Sequence, residues 1–190
     1  MFQKFFDREA QYVAPDLIGW RFFVDGVGGM IVETEAYSRD DPASHSFKGP
    51  GIRNRSMFGA HGRSYVYRIY GLYWCMNFVC ANASAVLLRA IAPLAGTDLM
   101  KRRRNTNHIN ELYSGPGKLS IAMGLSGELD GASLAPTPFL LEPRHRKLPI
   151  ECGERIGIKL AKDRQFRFWL SNSPFVSRPN SCSSFLRHMY

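Results

Sequence analysis

Short apolar segments separated by glycine and proline dominate the hydrophobic pattern of this chain, and most of them have the two-residue period of β-strands. Residues 64–80 carry the strongest strand signal, because aromatic and β-branched residues fill the segment on both sides of one glycine. This pattern predicts a β-hairpin with Tyr70-Gly71 at its tip. A second hairpin is predicted from residues 20–24 and 29–35, which flank an Asp-Gly turn.

The remaining segments predict more strands and a few short helices. Further strands are expected at residues 85–91, 139–142, 155–158 and 166–170, and a long loop at residues 38–62. Helices are expected at residues 6–18 with an interruption at Pro15, at residues 97–104 with Thr97 as the cap, and at residues 116–125 with Pro116 in the first turn. Together these elements predict a single α+β domain with mostly antiparallel strands.

Composition narrows the class of protein. The chain has 190 residues, 45% of them hydrophobic, which excludes wholesale disorder and suits one domain. Its formal charge is +9, from 25 Lys and Arg against 16 Asp and Glu, which favours an anionic partner such as nucleic acid, anionic lipid or an acidic protein, or else serves solubility. We expect no membrane span, no secretory signal and no structural metal, and free thiols at its four cysteines.

Two carboxylates stand together near the end of the second hairpin. Because residues two apart on a strand share a face, Glu33, Glu35 and Tyr37 are expected to line one side of it. The two carboxylates could act as a general acid and a general base, or they could be ordinary groups on an exposed strand face. Arg89 lies in an apolar strand, so it either pairs with a carboxylate such as Glu35 or reaches solvent. The residues alone leave both choices open.

The hairpin at residues 64–80 brings aromatic residues close to cations. An aromatic stripe on a strand is typical of a core, but Tyr70 at the turn tip could wedge into a stack of bases. A buried Asn77 would need hydrogen-bond partners from the protein or from a ligand. Cations around the hairpin and the long loop could follow a phosphate backbone or be simply solvated, and these are Arg53, Arg55, Arg63 and Arg68.

Several motifs follow one another in an order that is specific to one family. Glu-Thr-Glu-Ala-Tyr at residues 33–37 and Tyr-Gly-Leu-Tyr-Trp-Cys-Met-Asn at residues 70–77 are the most specific of them. The others lie at residues 41–45, 53–54, 57–58, 87–90 and 114–119. In this order the motifs resemble the alkyladenine (3-methyladenine) DNA glycosylase family of the mammalian type. The likeness runs from about residue 14 to residue 177, and the form is minimal, as in bacteria.

The resemblance implies roles for individual residues. Glu35 matches the general base that activates a water molecule, Arg89 matches the arginine that helps to hold this water, and the backbone carbonyl of Ile156 matches its third contact. By the same resemblance Glu33 has a structural role only. The aromatic walls around an extruded base fall on Tyr37, His45 and Tyr67. Tyr70 matches the residue that fills the gap in the base stack, and Asn77 matches the asparagine that disfavours normal guanine.

The resemblance also implies fold, substrate and location. We expect a curved, mostly antiparallel and partly open barrel-like sheet with short peripheral helices and a protruding β-hairpin. Residues 1–177 are expected to form the catalytic domain, and residues 178–190 a tail that could be disordered. The implied activity is monofunctional excision of alkylated or deaminated purines from duplex DNA by a monomer, without cofactor or membrane. We expect a cytoplasmic, nucleoid-associated enzyme, or a nuclear one in a eukaryote, with Arg53, Arg55 and Arg68 contacting phosphate.

Overall fold

A computed structural model describes residues 2–109 and 112–177 of the chain, so the predicted tail at residues 178–190 lies outside the described part. The described part is an α+β domain built on a curled antiparallel sheet. Its strands are β1 (Arg21–Val24), β2 (Val27–Tyr37), β3 (Ser64–Ile69), β4 (Tyr73–Cys80), β5 (Ser84–Ala95), β6 (Phe139–Glu142), β7 (Ile150–Gly153) and β8 (Arg167–Leu170). Its α-helices are α1 (Phe2–Phe6), α2 (Ala10–Leu17), α3 (Thr97–Arg104) and α4 (Pro116–Met123).

Strand β2 is the centre of the sheet. The strand order β3-β4-β5-β2-β1-β6 leaves β2 with β5 on one side along its whole length. On the other side β2 pairs first with β1 and then, from Glu33 to Glu35, with β8. Strand β7 extends the sheet beyond β8. The second half of β2 is therefore flanked on both sides, which excludes water from the backbone of this segment.

The two faces of the sheet bury different sets of side chains. One face packs against the helices and forms the main core, in which Phe22, Phe78 and Leu88 are fully or almost fully buried. The other face carries a smaller cluster of Met57, Tyr65, Val79 and Ala85, covered by the segment after β2. Side chains alternate between the two faces along each strand, so a residue that directly follows or precedes a core residue in the sequence points to this second face.

The hairpins and most strands lie where the alternating pattern predicts them, and the sheet and fold class are confirmed. The helix expected at residues 6–18 is instead two helices, and Pro15 lies inside α2, where it loses only one hydrogen bond close to the helix end. The loop at residues 38–62 contains a 3-10 helix, Ile52–Phe58. Within the described residues, none of the helices has the length and apolar character that a membrane crossing requires.

Two local predictions are wrong. Thr97 does not cap α3, because the cap position is Gly96 at φ 74° and makes no side-chain hydrogen bond. Residues 155–158 form no strand, although polar and apolar residues alternate there. Gly157 has φ 81°, which an extended strand does not allow, and the segment is a loop that follows β7.

Candidate active site

Two β-bulges, one on β2 and one on β5, determine the face of the sheet to which Glu33 and Arg89 point. Across β2 and β5, Ile31 opposes Ile91, Glu33 opposes Ala90 and Thr34 opposes Leu88. Val32 and Arg89 are therefore extra residues, one on each strand, and each shifts the alternation of its strand by one position. A bulge of this kind re-aims a side chain and is common beside active sites. It lets Glu33 and Arg89 point to the second face although Ile31 and Ile91 point into the main core.

Glu35 is fully buried and has contacts from three sides. Arg89 Nη1 lies 3.2 Å from Glu35 Oε1, and the backbone N–H of Ile156 donates to the same oxygen at 2.7 Å. The hydroxyl of Tyr37 donates to Glu35 Oε2 at 2.8 Å. Burial and the neighbouring charge of Glu35 raise the pKa of Tyr37 well above its ordinary value, so the hydroxyl remains a donor. These three contacts fix the orientation of the Glu35 carboxylate.

Glu33 is saturated by protein donors. Its Oε1 accepts from Arg89 Nε at 2.8 Å, from Arg167 Nε at 2.8 Å and from Ser177 Oγ at 2.9 Å, and its Oε2 accepts from the backbone N–H of Ser177 at 2.7 Å. Burial alone would raise the pKa of Glu33, but the two arginines and the hydrogen bond from the backbone N–H of Ser177 outweigh it and lower the pKa. A saturated carboxylate neither delivers a proton nor faces solvent. The exposed strand face considered for the two carboxylates is therefore wrong, and the four donors on Glu33 do not favour an acid–base pair.

Aromatic rings stand next to this charged cluster on the same face of the sheet. Tyr65, Asn77, Leu87 and Glu35 oppose one another in register across β3, β4, β5 and β2, so they share one face. The imidazole of His45 has its centroid 4.5 Å from the ring of Tyr67, and these rings are T-shaped to each other.

The rings are fixed by hydrogen bonds and remain uncharged. His45 Nδ1 and the hydroxyl of Tyr65 are 2.8 Å apart. Burial and the charge of Arg53 lower the pKa of His45, so its neutral form is favoured. Burial and the neighbouring thiol of Cys75 raise the pKa of Tyr67. Neutral electron-rich rings attract a cation, and a flat cationic ligand suits such a wall.

The tip of the β3–β4 hairpin carries a strained and exposed tyrosine. Tyr70 is 81% exposed and has φ 54°, and Gly71 follows with φ 67°. A bulky residue at positive φ costs free energy, so its presence at a tip is a functional signal. Leu72, which is 69% exposed, lies beside it. This tip projects an aromatic ring away from the sheet.

Comparison with known proteins agrees with this chemistry. The family model for methylpurine-DNA glycosylase matches residues 4–174. A protein of Agrobacterium fabrum is 57% identical over 93% of this chain and 91% of its own length, and one of Rhizobium meliloti is 52% identical over 92% and 94%. A third, from Nitrosospira multiformis, is 52% identical over 88% of each chain. All three have been assigned the name 3-methyladenine DNA glycosylase.

The chain belongs to the methylpurine-DNA glycosylase family. It is a DNA glycosylase for alkylated purines such as 3-methyladenine, and its substrate is damaged DNA. The family predicted from the ordered motifs is thereby confirmed.

In this glycosylase the structure brings Glu35, Arg89, Tyr37 and the Ile156 segment together, as the sequence predicts. One detail differs, because Ile156 reaches Glu35 through its N–H, and the role of its carbonyl stays a prediction. The partner predicted for Arg89 was a carboxylate such as Glu35, and Glu33 is a second and closer one. Asn77 is buried, and its amide donates to the backbone carbonyl of Tyr65 at 3.0 Å.

The predicted phosphate contacts are exposed but differ in position. Arg53 and Arg55 lie on the 3-10 helix Ile52–Phe58, while Arg68 is on β3, 5.6 Å above the ring of Trp74. All three side chains are exposed, and their contact with phosphate stays a prediction. Arg63 donates instead to the carbonyl of Gly131.

Sequence reasoning missed Arg167, Ser177 and Arg155 in this glycosylase. Arg155 is buried, pairs with buried Asp41, donates to the carbonyl of Ala36 at 3.0 Å, and has its guanidinium 4.7 Å from the centre of the Tyr37 ring. It holds the loop that contains Ile156 against the end of β2. A lone arginine among apolar strand residues, the signal used for Arg89, also marks Arg167.

The described cysteines have no role as ligands. Cys75 and Cys80 are buried free thiols, and Cys152 is a free thiol that is partly buried. Burial raises the pKa of Cys75 to about 11, against the hydrogen bond from Tyr67 and the charge of Arg89. Among the described residues no cluster of His, Cys, Asp and Glu could hold a metal ion. Cys182 lies outside the described residues.

Proposed function

We propose that this glycosylase extrudes a damaged purine from duplex DNA and that Glu35 activates a water molecule that attacks the sugar carbon C1′. The observation that carries the proposal is the buried Glu35, oriented by Arg89, Tyr37 and the N–H of Ile156. In the step proposed, the water oxygen bonds to C1′ while its proton passes to Glu35. The bond from C1′ to the purine breaks, and its electron pair leaves with the base.

The leaving group explains why one carboxylate is enough. A purine alkylated on a ring nitrogen carries a positive charge, so it departs as a neutral molecule without prior protonation. The remaining requirement is a positioned nucleophile, which proximity and a general base supply. Arg89 is the second contact proposed for the water, and the carbonyl of Ile156 is the third. Neutral deaminated purines such as hypoxanthine are a further substrate class in this proposal.

The aromatic wall would receive the extruded base. A base inside a duplex is out of reach of a buried carboxylate, so it has to leave the stack at a cost of a few kcal/mol. Tyr37, His45 and Tyr67 would enclose it, and their neutral rings favour a cationic purine over an ordinary one. Asn77 would crowd the amino group of guanine.

The exposed hairpin tip would hold the duplex open. Tyr70, which projects from the tip, would fill the space that the extruded base leaves. Arg53, Arg55 and Arg68 would contact the flanking phosphates, which agrees with the charge of +9. The reaction would be monofunctional, because the cations that contact the site carboxylates are arginines, and it would need one copy of the chain.

The substitution Glu35→Gln tests this function. It keeps the shape of the side chain and removes the base, so release of 3-methyladenine from methylated duplex DNA should fall by about 100-fold or more. Binding to lesion-bearing duplex should remain. The matched control is Glu142→Gln on β6, a partly exposed carboxylate on the same sheet, which should leave the rate unchanged. Undiminished release by Glu35→Gln would refute the assignment.

A further inference from the structure

The mechanism above uses Glu35 and Arg89 but leaves a second buried carboxylate and a second buried arginine unexplained. Glu33 and Arg167 are both fully buried beside them. Burying an extra ion pair is seldom favourable for stability alone, since desolvation offsets most of the attraction. A role in controlling the reactive pair is therefore the better explanation.

All three nitrogens of the Arg89 guanidinium are engaged, and each has a different partner. Nε donates to Glu33 at 2.8 Å, Nη2 donates to the hydroxyl of Ser177 at 3.2 Å, and Nη1 faces Glu35 at 3.2 Å. The guanidinium is rigid and planar, so fixing two of its nitrogens fixes the direction of the third. Glu33 and Ser177 thus determine where Arg89 places its charge relative to Glu35.

Arg167 controls how strongly Glu33 competes for Arg89. Its Nε donates to Glu33 Oε1, the same oxygen that receives Arg89 Nε, and its guanidinium lies 4.7 Å from the centre of the Trp169 ring. The cluster holds two carboxylates and two arginines. Arg167 neutralises much of the charge of Glu33, which leaves Arg89 available to Glu35.

We infer that Glu33, Arg167 and Ser177 are positioning residues. They determine how much of the positive charge of Arg89 acts on Glu35, and they thereby set the proton affinity of this base. This inference rests on the proposed function of Glu35. It deepens that function, because it assigns the pH range of the reaction to residues that act on Glu35 through Arg89.

The other groups around Glu35 cannot replace this control. Strand β2 itself contributes Tyr37, β3 contributes Tyr67 and β4 contributes Cys75, and each of these has a raised pKa and stays uncharged near neutral pH. The loop after β7 contributes the N–H of Ile156 and, beyond Tyr37, the guanidinium of Arg155. Arg155 is already paired with Asp41.

The charge that each substitution removes predicts the direction in which the pH dependence of the rate should move. The substitution Glu33→Gln removes a negative charge and leaves both arginines to Glu35, so the base holds its proton less tightly. Arg167→Met removes a positive charge, so Glu33 draws Arg89 away and Glu35 holds its proton more tightly. The two substitutions should move the acid limb of the pH–rate profile in opposite directions, whereas purely structural damage would lower the rate without such a pattern.

The experiment is single-turnover release of 3-methyladenine from methylated duplex DNA over a pH series. For Glu33→Gln we expect the midpoint of the acid limb about one pH unit lower, and for Arg167→Met about one unit higher, equal to about tenfold in rate at a fixed pH on the limb. Arg167→Lys, which keeps the charge, should stay near the parent midpoint. Midpoints that stay in place, or that move in the same direction, would overturn the inference.

Ser177→Ala keeps the test decisive if a charge-changing variant fails to fold. It removes one hydroxyl that donates to Glu33 and accepts from Arg89, while the backbone N–H still donates to Glu33. Glu33 is then less neutralised, so a smaller shift to higher pH is expected, and an unshifted midpoint would contradict the inference. Glu35→Gln separates the two levels. If it is inactive and the midpoints do not move, only the inference fails, and if it is fully active, the proposed function fails.

Discussion

The buried ion pair between Asp41 and Arg155 offers a sharp test of how the active-site loop is held. Both side chains are fully buried. Asp41 Oδ1 also accepts from the N–H of Ala43 at 2.9 Å, so Asp41→Asn preserves the shape and that hydrogen bond. The new amide would set an N–H donor against the guanidinium of Arg155. Arg155 would then be a buried cation without its counter-ion.

The cost follows from the burial of both partners. Removing one member of a buried ion pair costs about 3–5 kcal/mol, because the remaining charge is left uncompensated. We expect this cost for Asp41→Asn and for Arg155→Met, measured as the free energy of unfolding in urea. The double variant has no buried charge left at this place. Its cost should therefore be about 2–3 kcal/mol smaller than the sum of the two single costs.

Non-additivity of the two costs is the decisive result. If the double variant loses the sum of the two single losses, the pair contributes no coupling, and the arginine stabilises the loop only through the carbonyls of Ala36 and Ala161. Activity provides a second measurement. Because Arg155 precedes Ile156, whose N–H contacts Glu35, all three variants should also lower the rate of 3-methyladenine release while still binding DNA.

Three further predictions follow from individual residues. The free energy of unfolding should fall as the pH drops below about 4.5, the ordinary pKa of a glutamate. The pKa of Glu33 is lowered in the folded chain, so ionised Glu33 stabilises the fold above pH 4.5, and this stabilisation is lost as the pH falls further. Urea unfolding at pH 3 to 6, with Glu33→Gln as a variant lacking this part of the slope, measures it. Tyr70→Asn should raise the free energy of unfolding by about 1 kcal/mol, since asparagine tolerates the positive φ of this position better than tyrosine. The same substitution should weaken binding to lesion-bearing duplex. A lower free energy of unfolding would show that the backbone at Tyr70 is not strained. Between about pH 7 and 9 the single-turnover rate should be flat, because the pKa of Cys75 is about 11 and those of Tyr37 and Tyr67 are also raised; an alkaline limb would contradict this.

The sequence predicted those features that depend on residues close together in the chain. The β3–β4 hairpin follows from alternation and one glycine, and its tip lies at Tyr70-Gly71 as expected. Spacing by two residues predicted that Glu35 and Tyr37 share a face, and their hydrogen bond bears this out. The same alternation led to a wrong prediction at residues 155–158, because a period of two also occurs in this loop, where the polar side chain of Arg155 is the buried one.

The network behind the site was out of reach of such patterns. Glu33 meets Arg167 across 134 positions of the chain and Ser177 across 144, and Arg155 meets Asp41 across 114. Pairings at this separation are set by the strand order, which brings β8 against the second half of β2. The bulge at Arg89 could not be predicted from the sequence either, because a run of apolar residues does not mark the position at which the strand register shifts.

The charged and titratable groups around Glu35 keep a constant charge near neutral pH. Arginines remain cations throughout the physiological range. Burial alone would lower the pKa of Arg89, but the neighbouring carboxylates of Glu35 and Glu33 outweigh it and raise the pKa. Glu33 is held ionised by four donors, and the tyrosines and Cys75 are held neutral by burial. His45 is shifted toward its neutral form, so its ring has the neutral character that the proposed binding of a cationic purine requires. The carboxylate of Glu35, the proposed base, is therefore surrounded by groups whose charges stay constant near neutral pH.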